Sequence, residues 1–139
     1  MAHEDNGGLE GRDAVERRGS AGEKQLARML DHYRMRFFYE HPLAVLNRGK
    51  VRVWYCDFWL PDYSVALEYA GMTGNPDYDA GIAHKKAVYE ASGVSCLFVY
   101  PDDLRGYWPK QLMKSIHQVL AERLAAFDSL QARSRRLRE

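Results

Sequence analysis

The sequence has little of what usually assigns a chain quickly. Its two cysteines, Cys56 and Cys96, are too few for a disulfide framework, and no Cys-x-x-Cys or Cys/His spacing points to zinc. Both lie in apolar runs, where reduced, buried thiols are expected. No apolar run approaches the roughly 18 consecutive residues a membrane helix needs. Residues 1–19 are polar and lack the apolar segment of a signal peptide. A cytoplasmic protein with no membrane partner is expected. Net charge is missing too: 20 Lys and Arg against 19 Asp and Glu leave +1, so the overall balance gives no sign of a polyanion partner. Internal repeats are also absent.

What is present is a globular composition. With 46% hydrophobic residues over 139 positions, the chain is neither a disordered tail nor large enough for two cores. Residues 1–19, with Gly7, Gly8, Gly11 and Gly19 among charges, read as a flexible lead-in. A single domain is expected over residues 20–130, followed by a basic tail over 131–139.

Ser20-Ala21-Gly22-Glu23 has the spacing of a capping box, and Leu26, Met29, Leu30 and Tyr33 continue it as a helix to about 35. Three strands follow, over 36–40 (ending before Pro42), 51–60 and 63–69, with turns at 47–50 and at Pro61-Asp62. A helix over 79–92, stopped at Gly93, leads to a buried central strand over 94–100. A long helix runs from Pro109 towards the C-terminus, with Leu112, Ile116, Leu120, Leu124, Phe127 and Leu130 at spacings of three and four. The order is αβββαβα.

The second hairpin fixes a register. If its turn is symmetric about Asp62-Tyr63, cross-strand partners sum to 125: Leu60 faces Val65, Phe58 faces Leu67, and Asp57 faces Glu68. Opposed carboxylates lie roughly 4.5–5.5 Å apart at Cβ and repel. Either one keeps its proton, or a cation sits between them, and Mg²⁺ suits such a pair with water and phosphate completing its shell. The plainer alternative is a solvated hairpin edge or a bulge that separates them. Against that, Glu68 lies in the apolar run Val65-Ala66-Leu67-Glu68-Tyr69-Ala70-Gly71, and acids are seldom buried without a partner.

Asp57-Phe58-Trp59-Leu60-Pro61-Asp62 followed by Leu67-Glu68-Tyr69-Ala70-Gly71 resembles the paired motif of small nucleases in the PD-(D/E)XK superfamily. The likeness, closest to very-short-patch-repair-like and homing-endonuclease-like proteins, spans roughly residues 20–104. It implies a restriction-endonuclease-like αβββαβ core: an α/β fold with a mixed central sheet flanked by helices, here with a long C-terminal helix added. It implies that Asp57 and Glu68 hold Mg²⁺ or Mn²⁺ together with the carbonyl of Tyr69. Glu23 matches an accessory catalytic glutamate, although its capping box alone would explain it. Asp62 sits in the turn and is set aside.

The departure is Ala70, where the motif expects lysine. Lys85 on the following helix is the expected substitute and Lys86 the alternative, the plain reading of both being solvated surface lysines. Lys85 and Tyr89 are four apart on one helix face, like the helix motif of the superfamily's exonucleases. The implied activity is metal-assisted hydrolysis of phosphodiesters in nucleic acid, DNA being the expected substrate. Arg48, Lys50, Arg52 and Lys86 would contact its phosphates. The competing class is an inactive nuclease fold that binds nucleic acid or dimerises through the C-terminal helix. With no room for a separate recognition domain, specificity is expected from loops, from structure in the nucleic acid, or from a targeting partner protein.

Overall fold

Gly19 and Ser20 separate two N-terminal helices, α1 (Asn6–Arg18) and α2 (Ala21–His32), in the computed structural model, which describes residues 6–138. Residues 1–5 of the expected lead-in and Glu139 of the expected tail lie outside the described residues. The rest of the lead-in is a correction: residues 6–18 are helical, and Val15 is fully buried. Each glycine costs a helix about 1 kcal/mol relative to alanine, which is why this stretch reads as flexible. Docking offsets that cost. Val15 enters the main core, while Arg12 reaches Asp31 (2.6 Å) and Arg18 reaches Glu40 (2.7 Å).

The capping box of α2 forms as expected. Ser20 Oγ accepts from the Glu23 N–H (3.2 Å), and Glu23 Oε1 accepts from the Ser20 N–H (3.0 Å). Leu26, Ala27, Met29 and Leu30 then point into the core.

Among the described residues four strands form one sheet in the order β1-β2-β3-β4: β1 (Phe38–Asn47), β2 (Lys50–Leu60), β3 (Val65–Tyr69) and β4 (Ser95–Val99). The β1–β2 turn at Arg48-Gly49 has both residues at positive φ (52° and 77°), the pairing that matches the twist of a two-residue hairpin. β1 runs past Pro42, contrary to the sequence reading. As an edge strand it tolerates a residue without an N–H. The β2–β3 register is the one whose partners sum to 125, with Phe58 on Leu67, Trp59 on Ala66 and Leu60 on Val65. β3 and β4 are parallel, joined through α3 (Pro76–Ala91). That helix starts earlier than residue 79, because Asn75 caps it and Pro76 occupies the first turn.

One core cluster lies between the sheet and α1, α2 and α4 (Trp108–Arg138), built on Leu26, Leu30, Phe58, Leu60, Leu67 and Ile116. A second, smaller one packs Val45, Leu43 and Trp54 of the β1–β2 hairpin against Val88 and Tyr89 of α3. The fold is therefore mixed α/β, with helices flanking a mixed sheet. In α4 only Ile116 is fully buried, and Leu124, Phe127 and Leu130 are exposed. Arg123 ties this helix to the sheet through Ser95 Oγ (3.2 Å) and the carbonyls of Tyr63 and Ser64. Among the described residues no helix is long and apolar enough to cross a membrane.

Gly22 lies under the ring of Tyr69: a Cβ added there would be 2.0 Å from Cζ, while one added to Gly71 would meet the same ring at 2.9 Å. Clamped from both sides, the ring has little room to yield. Gly22→Ala is expected to destabilise the fold by about 1–3 kcal/mol, read as a lower midpoint in urea unfolding. An unchanged midpoint would show that Tyr69 moves freely.

Candidate functional site

Asp57 and Glu68 meet one step past the last paired residues of β2 and β3. Glu40, at φ 53°, and Asp57 are passed over in the β1–β2 ladder, and the Asp57 side chain turns towards β3. There its Oδ2 accepts the Tyr69 backbone N–H at 2.7 Å. Glu68 is 3% exposed, the one buried charged side chain among the described residues.

Two residues of α3 reach Glu68. The Tyr89 hydroxyl donates to Oε1 at 2.8 Å, and Lys85 Nζ lies 3.6 Å from Oε2. Their four-residue spacing puts both on one face of α3. Tyr89 is held in place by ring contacts with Trp54 (5.7 Å, edge-on) and Phe98 (6.5 Å). Position 70, where the motif lysine would stand, is a fully buried alanine whose N–H donates to the Val99 carbonyl (2.8 Å). Alternation puts Ala70 on the Glu68 face, and its small side chain leaves space beside the carboxylate. Lys86 points elsewhere: its Nζ donates to the Tyr100 hydroxyl (2.8 Å) and lies over the rings of Phe98 (5.2 Å) and Tyr100 (5.4 Å).

Burial, and after it the Glu68 charge, raises the Asp57 carboxyl well above the usual carboxylate range, with the Tyr69 N–H opposing. Asp57 therefore tends to hold its proton unless a cation takes its place. The same field keeps neighbouring acids protonated. Burial and then Glu68 raise the Tyr89 hydroxyl and the Cys96 thiol well above their usual ranges and push the Cys56 thiol up to about 12. Cys56 is buried as expected, whereas Cys96 is half-buried. Neither thiol is a nucleophile here.

The folded state retains the Asp57 proton at pH values where the unfolded chain has lost it. The resulting stability is fully present below the ordinary aspartate pKa and is lost as pH rises through the raised one. In chelator, the melting temperature of the wild type is expected to fall by about 4 °C or more between pH 5 and pH 8 relative to Asp57→Asn. Parallel curves for the two proteins would contradict the shift.

Glu23 approaches the pair electrostatically, its charge adding to the rise at Asp57, but its oxygens are committed. Oε1 caps α2 and Oε2 accepts from the Tyr39 hydroxyl (3.0 Å). Among the described residues no group of three or more His, Cys, Asp or Glu converges as a metal cluster. The donor set is thus two carboxylates, with the Tyr69 backbone beside them. Their need for a proton or a cation, and the oxygen chemistry of the pair, fit a Mg²⁺ that keeps most of its water. Asp62 is exposed in the turn and forms a two-pronged pair with Arg36 (2.6 and 3.2 Å), far from any such role.

A cleft of about 480 Å³ opens on the pair, lined by Asp57, Glu68, Tyr69 and Lys85 and, from the start of α3, by Asp77, Tyr78, Gly81 and Ile82. A helix expected from residue 79 leaves Asp77 and Tyr78 in the preceding loop, whereas α3 starts at Pro76 and carries both to the cleft. Asn75-Pro76 was the available signal. Arg48, Lys50 and Arg52 are exposed at the tip of the β1–β2 hairpin. Lys50 is seven residues along β2 from Asp57, a run of roughly 23 Å. The structure therefore brings Asp57, Glu68, Tyr69 and Lys85 together, leaves Glu23 adjacent, and sets Lys86 and the tip cations apart. Compared with family models, curated proteins and solved structures, the chain matches none.

Proposed function

We propose that this chain is a divalent-metal-dependent nuclease of the PD-(D/E)XK type, with its αβββαβ core in the restriction-endonuclease-like arrangement, acting on DNA. One observation carries the reading: a buried carboxylate pair on adjacent strands, opened to a cleft and faced by Lys85 at 3.6 Å from Glu68. The residue types and strand positions are those the motif calls for, and the absent lysine at Ala70 has a replacement in reach.

Asp57, Glu68 and the Tyr69 carbonyl would hold Mg²⁺ or Mn²⁺. Bound there, the cation lowers the pKa of water and neutralises charge on the phosphate under attack. Tyr89 occupies Glu68 Oε1 and fixes the carboxylate, leaving Oε2 towards Lys85. Lys85 orients the attacking water or stabilises charge on the phosphoryl oxygens. The water oxygen would bond to phosphorus as the ester P–O bond breaks, with one proton lost to solvent and the departing oxygen taking up a proton from solvent water to leave as the alcohol.

The test is supercoiled plasmid with Mg²⁺ or Mn²⁺, comparing wild type, Glu68→Ala and Lys85→Ala. The reading expects metal-dependent nicking or linearisation by the wild type, abolished in Glu68→Ala and strongly slowed in Lys85→Ala. Cleavage that survives Glu68→Ala would overturn it. A second reading, a non-catalytic nucleic-acid-binding or dimeric module, draws on two facts. Tyr89 and Lys85 already satisfy both Glu68 oxygens, and α4 exposes Leu124, Phe127 and Leu130. It expects no cleavage under any metal, and a dimer dispersed by Phe127→Glu in light scattering.

A further inference from the structure

The β1–β2 hairpin extends well beyond its support. β3 pairs with β2 only over Phe58–Leu60, leaving the distal part a two-stranded ribbon braced on one face by α3. From His41 to Cys56 the sequence has no Asp or Glu, but it carries Arg48, Lys50 and Arg52. All three are exposed, and among the described residues none forms an ion pair. The other face is apolar and open: Leu46 pairs with Val51, Ala44 with Val53 and Pro42 with Tyr55, and Val51 and Tyr55 are 75% and 64% exposed.

Uncovered apolar side chains cost free energy in water, and unpaired cations concentrated at one tip repel each other. Both features call for an occupant that is anionic at its margins and apolar within. We infer that this ribbon is a duplex-DNA-binding element that enters the major groove. Its tip cations meet the phosphates, and Val51, Val53 and Tyr55 lie against base edges and thymine methyl groups. A groove about 12 Å wide admits a two-stranded ribbon, and charge complementarity favours a polyanion over a second copy of this chain, whose matching ribbon carries the same cations and no acid to pair with them. The inference rests on the nuclease reading for its relevance to catalysis but not for its test. The roughly 23 Å from Lys50 to Asp57 corresponds to about seven base pairs at 3.4 Å each. The ribbon thus selects duplex and sets a minimum length of duplex beside the cut.

The experiment uses the full chain in EDTA, so that binding is read without cleavage. Fluorescence anisotropy on a 20-base-pair duplex and on the matching single strand compares the wild type, the triple variant Arg48→Gln/Lys50→Gln/Arg52→Gln, and Lys110→Gln/Lys114→Gln as a control that removes two charges from α4. The triple variant is expected to bind duplex at least about 30-fold more weakly at 0.1 M salt, its log–log salt slope shallower by about 2–3. Tyr55→Ala should lose about 5-fold or more with an unchanged melting temperature. The control should bind as the wild type does. Equal binding by the triple variant and the wild type, or equal affinity of the wild type for duplex and single strand, would overturn the ribbon. So would a dimer that Tyr55→Glu dissociates. Cleavage of plasmid with ribbon-independent binding rejects the ribbon and leaves the nuclease standing. Ribbon-dependent binding without cleavage does the reverse.

Discussion

Glu68→Gln is expected to lower Mg²⁺-supported plasmid cleavage by about 10³-fold while leaving a folded protein. Glutamine keeps the volume of the buried side chain and an oxygen that can accept from Tyr89 at the position now 2.8 Å away. What goes is the charge, and with it one of the two carboxylates proposed to hold the cation. Losing one preorganised electrostatic group commonly costs 10²–10³ in rate, and here the cation would go with it. The fold responds in the opposite sense. Glu68 is 3% exposed, and its charge raises the carboxyl of Asp57. Neutralising a buried carboxylate that repels Asp57 relieves that repulsion, and Lys85, 40% exposed, is left solvated and not stranded as a buried charge. An inactive variant with an equal or higher melting temperature at pH 8 is thus expected, a pattern that a purely structural Glu68 would not produce. Initial rates alongside thermal melts check it. Activity within tenfold of wild type would remove Glu68 from the chemistry.

The second large effect separates two neighbouring lysines. Lys85→Met is expected to lower kcat about 10²-fold with KM within about threefold, because the amine acts near the reacting atoms more than in binding. Lys85 is 40% exposed, and its 3.6 Å pair with Glu68 supports the fold little, so the melting temperature should hardly move. Lys86→Met should cleave at nearly the wild-type rate, since that amine is engaged with Tyr100 and Phe98. Steady-state rates over a range of plasmid concentrations read the difference. Equal losses in both variants would mean that general positive charge, and not Lys85 placement, matters.

That contrast also shows where sequence reasoning stops. Adjacent residues on a helix differ by 100° in direction, so whichever of Lys85 and Lys86 faces Glu68 depends on how α3 is rotated about its axis. The rotation is set by Val88, Tyr89, Trp54 and Phe98, which come from three different elements. The Asp57–Glu68 neighbourhood was legible because a short hairpin has period two and one symmetric turn. Once Leu60 faces Val65, every later pair follows. The extent of β1 was not legible, since Pro42 ends most strands and is tolerated only at an edge, a fact about the whole sheet. α1 was hidden for a related reason: its helix propensity is poor, and its support comes from Val15, Asp31 and Glu40 once the core exists. Glu23 shows local geometry read correctly beside a role left open. The capping box forms, and the side chain that makes it is also within electrostatic range of Asp57.

Divalent-cation binding at the carboxylate pair is the premise on which the rest depends, and calorimetric titration of Mn²⁺ into the metal-free protein at pH 8 tests it without any nucleic acid. Cation binding must displace the proton held by Asp57, so buffers of different ionisation enthalpy should reveal proton release on binding. The account predicts saturable binding by the wild type with proton release, weakened at least about tenfold in Asp57→Asn. No saturable binding, or binding of equal strength in Asp57→Asn, would contradict it.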